Sequence, residues 1–566
     1  MNYSSTVSPR QQHVFSRVPK SDAVQYSTFD RSHTHKTAFN AGLLIPIFVD
    51  EVLPGDIKRL YSRSLTRLAT PIKPFMDNLY LDTHFFFVPN RLVYNKWRNL
   101  QGEQRNPNDS TDFQIPMLNS GATGVDFESV FDYSGVPPKV PFLEFSSLPF
   151  RAMNLIWNEY YRDENLQNWR NVGGTGTSTA PVDEFGETDQ LSNYSLLPRG
   201  KRHDYFTSSL PWQQKGDPVI MSLTGQAPVR GTIIDDVTQQ QYVIPKWPNV
   251  WNRTDSSDMQ IPNSNEAVHI GTNNGVPFVK GHDQTQPLHL MVGKTLRPDL
   301  FADMTNVSGI SVADFRTAMQ IQAIKELDAR TGTRYVEKLK GQWRVTPSNA
   351  ELQRPEYLGG SSVAFYTNPV ANTSGNDTDP QGNLSAFSYA YNQGKGFTKA
   401  FEEHGFVIGF LSVRADLTYQ QGLQRMFSRK KRFDFYEPLL ANISEQAVKN
   451  KEIYAQGSNV KNAQGTDVDD DTFGYQEAWS EYRYFPNMIT GKMRSQYPQS
   501  LDYWHLAQQF AGLPALNSDF IEEKPPIDRV IAITNEPQFI SDNYFDMRDT
   551  REMPVYSVPS YLGSRI

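Results

Sequence analysis

Turn formers spaced along the whole chain constrain it most. Thirty-seven Pro and thirty-six Gly divide it into short runs, and those runs are rich in Tyr (27) and Phe (34). Short aromatic and β-branched stretches separated by turn chemistry predict strands joined by loops, hence a mainly β fold. Disorder would lack the aromatic residues. Leu79–Val88 is the clearest strand: Leu79, Leu81, Phe85 and Phe87 alternate with Tyr80, Asp82 and His84, and Pro89 ends it. Leu43–Val49, Phe406–Leu417 and Arg529–Thr534 read as further strands. Four helices are expected. One follows Asn90, with Val93, Trp97 and Leu100 as its stripe, and one runs from Leu148 to Tyr161 with Pro149 in its first turn. The third starts at Ser311, carries Phe315, Met319, Ala323 and Leu327, and stops near Gly332, while the fourth spans Leu501–Ala511. Residues 171–190 and 371–396 read as long loops, and 213–295 as a larger irregular stretch rich in Pro, Asn, Asp, Gln and Gly.

At 566 residues the chain is long enough for several domains, yet a β fold with long insertions can use this length as one. The expected organisation is an N-terminal arm (1–42), one domain over 43–566, and an inserted surface loop (213–295) within it. The arm holds Arg10, Arg17, Lys20, Arg31 and Lys36 against Asp22 and Asp30. There is no Cys, which removes disulfides, thiolate catalysis and Cys-ligated zinc together. No apolar stretch approaches the length of a membrane span, and the first residues lack the pattern of a secretory signal, so no membrane insertion is expected. Net charge is −7, so the chain as a whole is no electrostatic ligand for nucleic acid and any such contact must be local.

Catalytic and cofactor motifs fail on inspection. Gly293-Lys294-Thr295 looks like the end of a phosphate loop, but Leu288 stands where the first Gly is needed and Pro298 follows soon after. Asp467, Asp469 and Asp471 match the first spacings of a calcium loop, but Thr472 and Ala478 occupy the positions of the turn Gly and the bidentate Glu. His33 and His35 point the same way on a strand but lack a third ligand nearby. Glu402-Glu403 and Glu522-Glu523 read as solvated acids. The reading is therefore a non-enzyme with no cofactor. One segment stands apart: Arg425, Arg429, Lys430, Lys431 and Arg432 are interleaved with Phe427, Phe433, Phe435 and Tyr436. Cations neutralise phosphates and aromatic rings stack on unpaired bases, so this is the candidate nucleic-acid contact, with Arg10, Arg17 and Lys20 second. The bland alternative is a solvated turn whose rings enter the core.

Ordered blocks along the chain carry a resemblance. Phe29-Asp-Arg-Ser32, Leu53-Pro-Gly-Asp56, Arg67-Leu-Ala-Thr-Pro71 and Phe86-Phe-Val-Pro-Asn-Arg-Leu92 are followed by Gln353-Arg-Pro-Glu-Tyr-Leu-Gly-Gly360. Ser412-Val-Arg-Ala-Asp-Leu-Thr-Tyr-Gln-Gln-Gly422, Asn450-Lys-Glu-Ile-Tyr-Ala-Gln-Gly457 and Met553-Pro-Val-Tyr556 complete the series. The sequence resembles the major capsid proteins of the gokushovirus branch of the Microviridae. The resemblance implies an eight-stranded viral jelly-roll β-sandwich or barrel with very long inserted loops and a few short helices. It implies a virion protein, made in the bacterial host cytoplasm, whose copies form a T=1 icosahedral shell around circular single-stranded DNA. Internal scaffolding and DNA pilot proteins are the implied partners. It also implies that an inserted loop forms a three-fold protrusion toward a host-cell receptor, and residues 213–295, with Trp247, Trp251 and Pro262, are expected to be that loop. The alternative class is a carbohydrate-binding jelly roll, lectin-like or glycosidase-like, because fold alone does not fix function.

Overall fold

The computed structural model describes residues 25–170, 189–220, 311–375 and 380–556, together with the backbone of short strands between 224 and 308. Its centre is an open sandwich of two antiparallel sheets, not a closed barrel. The strands that build it are β1 (Tyr26–Asp30), β2 (His33–Phe39), β3 (Leu43–Val52), β4 (Ile57–Leu68) and β5 (Leu79–Pro89). The later ones are β6 (Glu356–Ala364), β7 (Tyr366–Ala371), β8 (Leu384–Ala400), β9 (Gly405–Ala415) and β10 (Phe539–Glu552). One sheet runs β1-β10-β4-β8-β7, with β2 pairing the other half of β10. The other runs β6-β5-β9-β3 and ends on the short strand Leu197–Pro198.

The alternation on β5 sorts its side chains between two cores. Leu79, Leu81, Phe85 and Phe87 meet Phe39, Leu60, Phe397, Phe539 and Phe545 between the sheets. Phe86 and Val88 point the other way and pack, with Ile408 and Phe410 of β9, against the helix α1 (Leu148–Tyr160). β5 and β9 are therefore buried on both faces, which is why their sequences are almost continuously apolar. Pro149 opens α1, whose Phe150, Met153, Ile156 and Trp157 are buried, and Trp157 Nε1 donates to the Pro198 carbonyl at 2.8 Å. The β3–β4 turn uses Leu53-Pro-Gly-Asp56: Gly55 has φ +88, and the Asp56 carboxylate accepts the Leu53 amide.

Several expectations change. The helix after Asn90 reduces to a turn at Asn90–Leu92 and four residues at Trp97–Leu100. No helix forms at 501–511, where only Asp502–Trp504 turns, because Leu506 N is captured by the Asp77 carboxylate and Gln508 N by the Thr418 carbonyl. Arg529–Thr534 is not a strand: a turn at Ile527–Arg529 leads to a single bridge between Ile531 and Pro71. Within the stretch 371–396, read as a loop, β8 begins at Leu384. β1 and β2 belong to the sheet, so residues 26–39 are held by β10, and residues 1–24 lie outside the described residues.

Residues 216–325 form a separate compact unit. Within it Val229–Asp235 pairs with both Gln241–Val243 and Leu296–Ala302, and Ala267–Asn273 pairs with Met259–Gln260 and Val276–Lys280. The region read as irregular thus contains short antiparallel strands. Helix α2 (Val312–Thr331) begins here as expected, with Ser311 Oγ accepting the Asp314 amide. Phe315, Met319 and Leu327 of its stripe are exposed.

Candidate nucleic-acid interface

The cationic segment folds as two short turns, Arg425–Ser428 and Arg432–Asp434. It does not continue β9 directly: Asp416–Gln424 intervene. Its five cations divide into two kinds. Arg425 donates to Glu452 at 3.1 Å and to the Ala447 carbonyl at 2.9 Å, and lies 3.7 Å from Glu481. Arg429 donates to Glu481 at 3.1 Å and stacks over Tyr482 at 4.3 Å, with Phe435 at 5.6 Å on its other contact. Both guanidinium groups are largely buried. Burial pushes the Glu452 carboxyl up, while Arg425 and the hydroxyl of Tyr205, donating at 2.9 Å, act against that rise. These two arginines anchor the segment to the strand Glu445–Lys449 and to the turns that carry Glu452 and Glu481.

Lys430, Lys431 and Arg432 are exposed. Asp434 accepts the backbone amides of Lys430 and Lys431 at 2.7 and 2.8 Å, and these two hydrogen bonds hold its carboxyl below the usual range. The acid therefore fixes the turn through the main chain. Among the described residues no carboxylate lies within ion-pair distance of either lysine ammonium. Arg432 reaches Glu437 at 3.2 Å yet stays 76% exposed. Phe427 and Phe433 are 69% and 68% exposed, and Tyr436 stands edge-on to Trp479 at 5.7 Å. The alternative reading, in which the rings enter a core, does not describe Phe427 and Phe433. Sequence reasoning missed Glu452, Glu481 and Tyr482, which decide which cations are neutralised. They lie up to 56 residues from the arginines they serve, and nothing local marks the pairing.

The other candidates take structural places. His35 Nδ1 contacts the Ile47 carbonyl at 2.8 Å and His33 Nδ1 the Arg31 carbonyl at 2.9 Å, so both rings tie down β2. Each acid of the 467–471 loop has a partner: Lys461 for Asp467, the Gln456 and Gly457 amides for Asp469, Lys449 and Lys451 for Asp470, and Asn462 for Asp471. Glu403 pairs with Arg91, and Glu522 with Lys524 at 3.0 Å. Glu523 is buried, accepts the Ala415 amide at 3.2 Å, and has its carboxyl pushed up by burial. Arg10, Arg17, Lys20, Gly293-Lys294-Thr295, Trp247, Trp251 and Pro262 lie outside the described residues.

Comparison with known proteins follows the same line. Capsid protein VP1 of Chlamydia phage 1 is 42% identical over 96% of this chain and 97% of its own length. Capsid protein VP1 of Bdellovibrio phage phiMH2K is 41% identical over 98% of both. Capsid protein VP1 of Spiroplasma virus 4 is 37% identical over 93% of this chain and 94% of its own. None of these supports a lectin or a glycosidase. With residues 16–561 matching the family model of the capsid protein (F protein), this chain belongs to that phage capsid family and is a structural protein of the virion, not an enzyme.

Proposed function

We propose that copies of this chain close into a T=1 icosahedral shell around a circular single-stranded DNA genome, and that Lys430, Lys431 and Arg432, with Phe427, Phe433 and Tyr436, touch that genome. The observation that carries the contact is the division of the cationic segment. Arg425 and Arg429 are neutralised and hold it in place, while two lysines with no acid partner among the described residues and exposed rings are presented beside them. A chain of net charge −7 repels a polyanion unless its inner face is locally basic. Arg10, Arg17 and Lys20 are proposed to act in the same way from the arm. Replacing Lys430 and Lys431 with Gln tests the contact. The expected result is shells that form but package less DNA or release it on mild heating. Failure of the shells to form, with DNA binding intact, assigns the segment to a subunit interface instead.

Internal scaffolding and DNA pilot proteins are proposed as further partners in assembly. The inserted region 213–295, with Trp247, Trp251 and Pro262, is proposed to form a protrusion that meets a host receptor. Exchanging this region for that of a relative is expected to change adsorption. Unchanged adsorption removes the receptor role.

A further inference from the structure

One sheet of the sandwich is covered by α1, while the other leaves a face open. On β4 the residues Lys58, Leu60, Ser62, Ser64, Thr66 and Leu68 are buried, and the alternate set Arg59, Arg63, Leu65 and Arg67 is exposed with Tyr61 half-buried. The register sets Tyr389 and Tyr391 of β8 beside Arg67 and Leu65 on one flank, and Tyr544 of β10 beside Arg63 on the other. Phe387 and Tyr389 stack with ring centres 6.0 Å apart and 12° between planes, and Tyr366 of β7 stands 6.2 Å from Tyr389. Tyr391 is 45% and Tyr366 59% exposed. Arg59 lies 4.8 Å over the ring of Tyr61.

The charge pattern selects the occupant. β4, β7 and β8 contain no Asp or Glu at all. The acids on this face sit on β10, the strand next to β4: Asp542, beside Leu65, is paired with Lys36 at 3.1 Å, and Asp546 lies beside Tyr61, while Arg548 beside Arg59 adds a fourth cation. Three guanidinium groups lie along the central strand at intervals of about 13 Å, with aromatic rings between and beside them. An apolar protein surface would have to desolvate these three charges without compensation. A duplex would offer phosphates but no free base faces to the rings. A single strand offers both, and an open sheet with arginine and aromatic residues on one face suits it. We propose that the open face of this sheet is a binding platform for single-stranded DNA, in which Arg59, Arg63 and Arg67 neutralise phosphates and Phe387, Tyr391 and Tyr61 stack on bases. The platform is separate from the Arg425–Tyr436 turns, and it rests on the reading that the shell encloses single-stranded DNA.

The test uses the purified full-length protein and a fluorescent oligodeoxythymidylate titrated at several salt concentrations. The triple variant Arg59→Gln, Arg63→Gln, Arg67→Gln is expected to bind at least tenfold more weakly. The slope of log affinity against log salt should fall by about 2, the value for three single-strand phosphate contacts. The pair Phe387→Leu, Tyr391→Leu is expected to weaken binding with the slope unchanged, because it removes stacking and no charge. All these side chains are on the open face, so unchanged circular dichroism and melting identify folded variants. Binding by the triple variant equal to the parent at every salt concentration overturns the platform. So does a variant that binds DNA normally but no longer assembles, since the face is then a contact between copies. Lys430→Gln, Lys431→Gln is measured in parallel. A loss confined to that variant overturns the platform and leaves the turn as the genome contact. A parent protein that prefers duplex over single strands overturns the genome reading itself.

Discussion

Lys58 is an ammonium with almost no access to water, within the reach of three carboxylates. It pairs with Asp50 and, at 2.8 Å, with Asp549, and Asp56 lies at 4.0 Å. Arg31 bridges Asp50 and Asp549, and Arg551 joins Asp56 at 2.9 Å. The cluster ties β1 and β10, near the two ends of the described chain, to the β3–β4 turn. Lys58→Met strands buried carboxylates, and the expected loss is about 3–5 kcal/mol in denaturant unfolding of the subunit. His84 makes a second prediction. Burial, with help from Arg199, lowers its ring to about 4, and its Nδ1 contacts the Tyr161 hydroxyl at 2.7 Å. The unfolded chain takes up this proton below about 6.5, whereas the folded chain resists it. The neutral ring's contribution is therefore complete above the unfolded value and is lost as pH falls from about 6.5 toward about 4. Unfolding free energy measured across that window should decline, and His84→Gln should flatten the decline.

Among elements, β8 departs most from its sequence appearance. Leu384–Ala400 mixes Ser, Ala and Gly with Phe and Tyr, and its register against β4 shifts between Gln393 and Lys395, where Gly394 takes φ +65. Two residues later a Cβ on Gly396 would lie 1.8 Å from the Leu60 carbonyl oxygen. Gly396→Ala must push β8 away from β4, and a loss of about 2–3 kcal/mol or failure to fold is expected, read by thermal melting. The Arg425–Tyr436 turns offer the converse case. Glu481→Ala removes a partner of both Arg425 and Arg429, and it is expected to cost about 2–4 kcal/mol. Lys430→Gln on the same turn should stay within about 0.5 kcal/mol, since it breaks no ion pair. Equal effects from the two variants would remove the distinction between anchoring and free cations.

At the scale of the whole molecule, the acidic 467–471 loop bears on particle stability. Its carboxylates are occupied by lysines, amides and Asn462, and Asp470 is drawn down to about 2 by Lys451 and Lys449. Chelation is expected to leave the melting of purified particles unchanged. Asp469→Ala should loosen the loop through loss of the Gln456 and Gly457 hydrogen bonds, with no rescue by calcium. A stability loss on chelation that calcium reverses would contradict this.

The sequence by itself determined the β class, the strands β3, β5 and β9, and the helices α1 and α2, because their apolar periodicity and end signals are local. It also determined the family through blocks spread over the chain, and it located the densest cationic run. Tertiary structure decided the rest. Leu501–Ala511 has helical spacing but gives the Leu506 and Gln508 amides to Asp77 and Thr418, and Arg529–Thr534 has strand composition but makes one short bridge to the Thr70–Ile72 segment. β8 reads as loop from its composition and becomes a strand because β4 supplies its hydrogen-bond partners. The same holds for charge: Arg425 and Lys430 look equivalent in the chain, and only Glu452 and Glu481, brought in from distant segments, neutralise one and leave the other exposed. Periodicity records which face of an element is apolar, whereas the partner of a charge or a backbone amide is fixed only when remote segments meet.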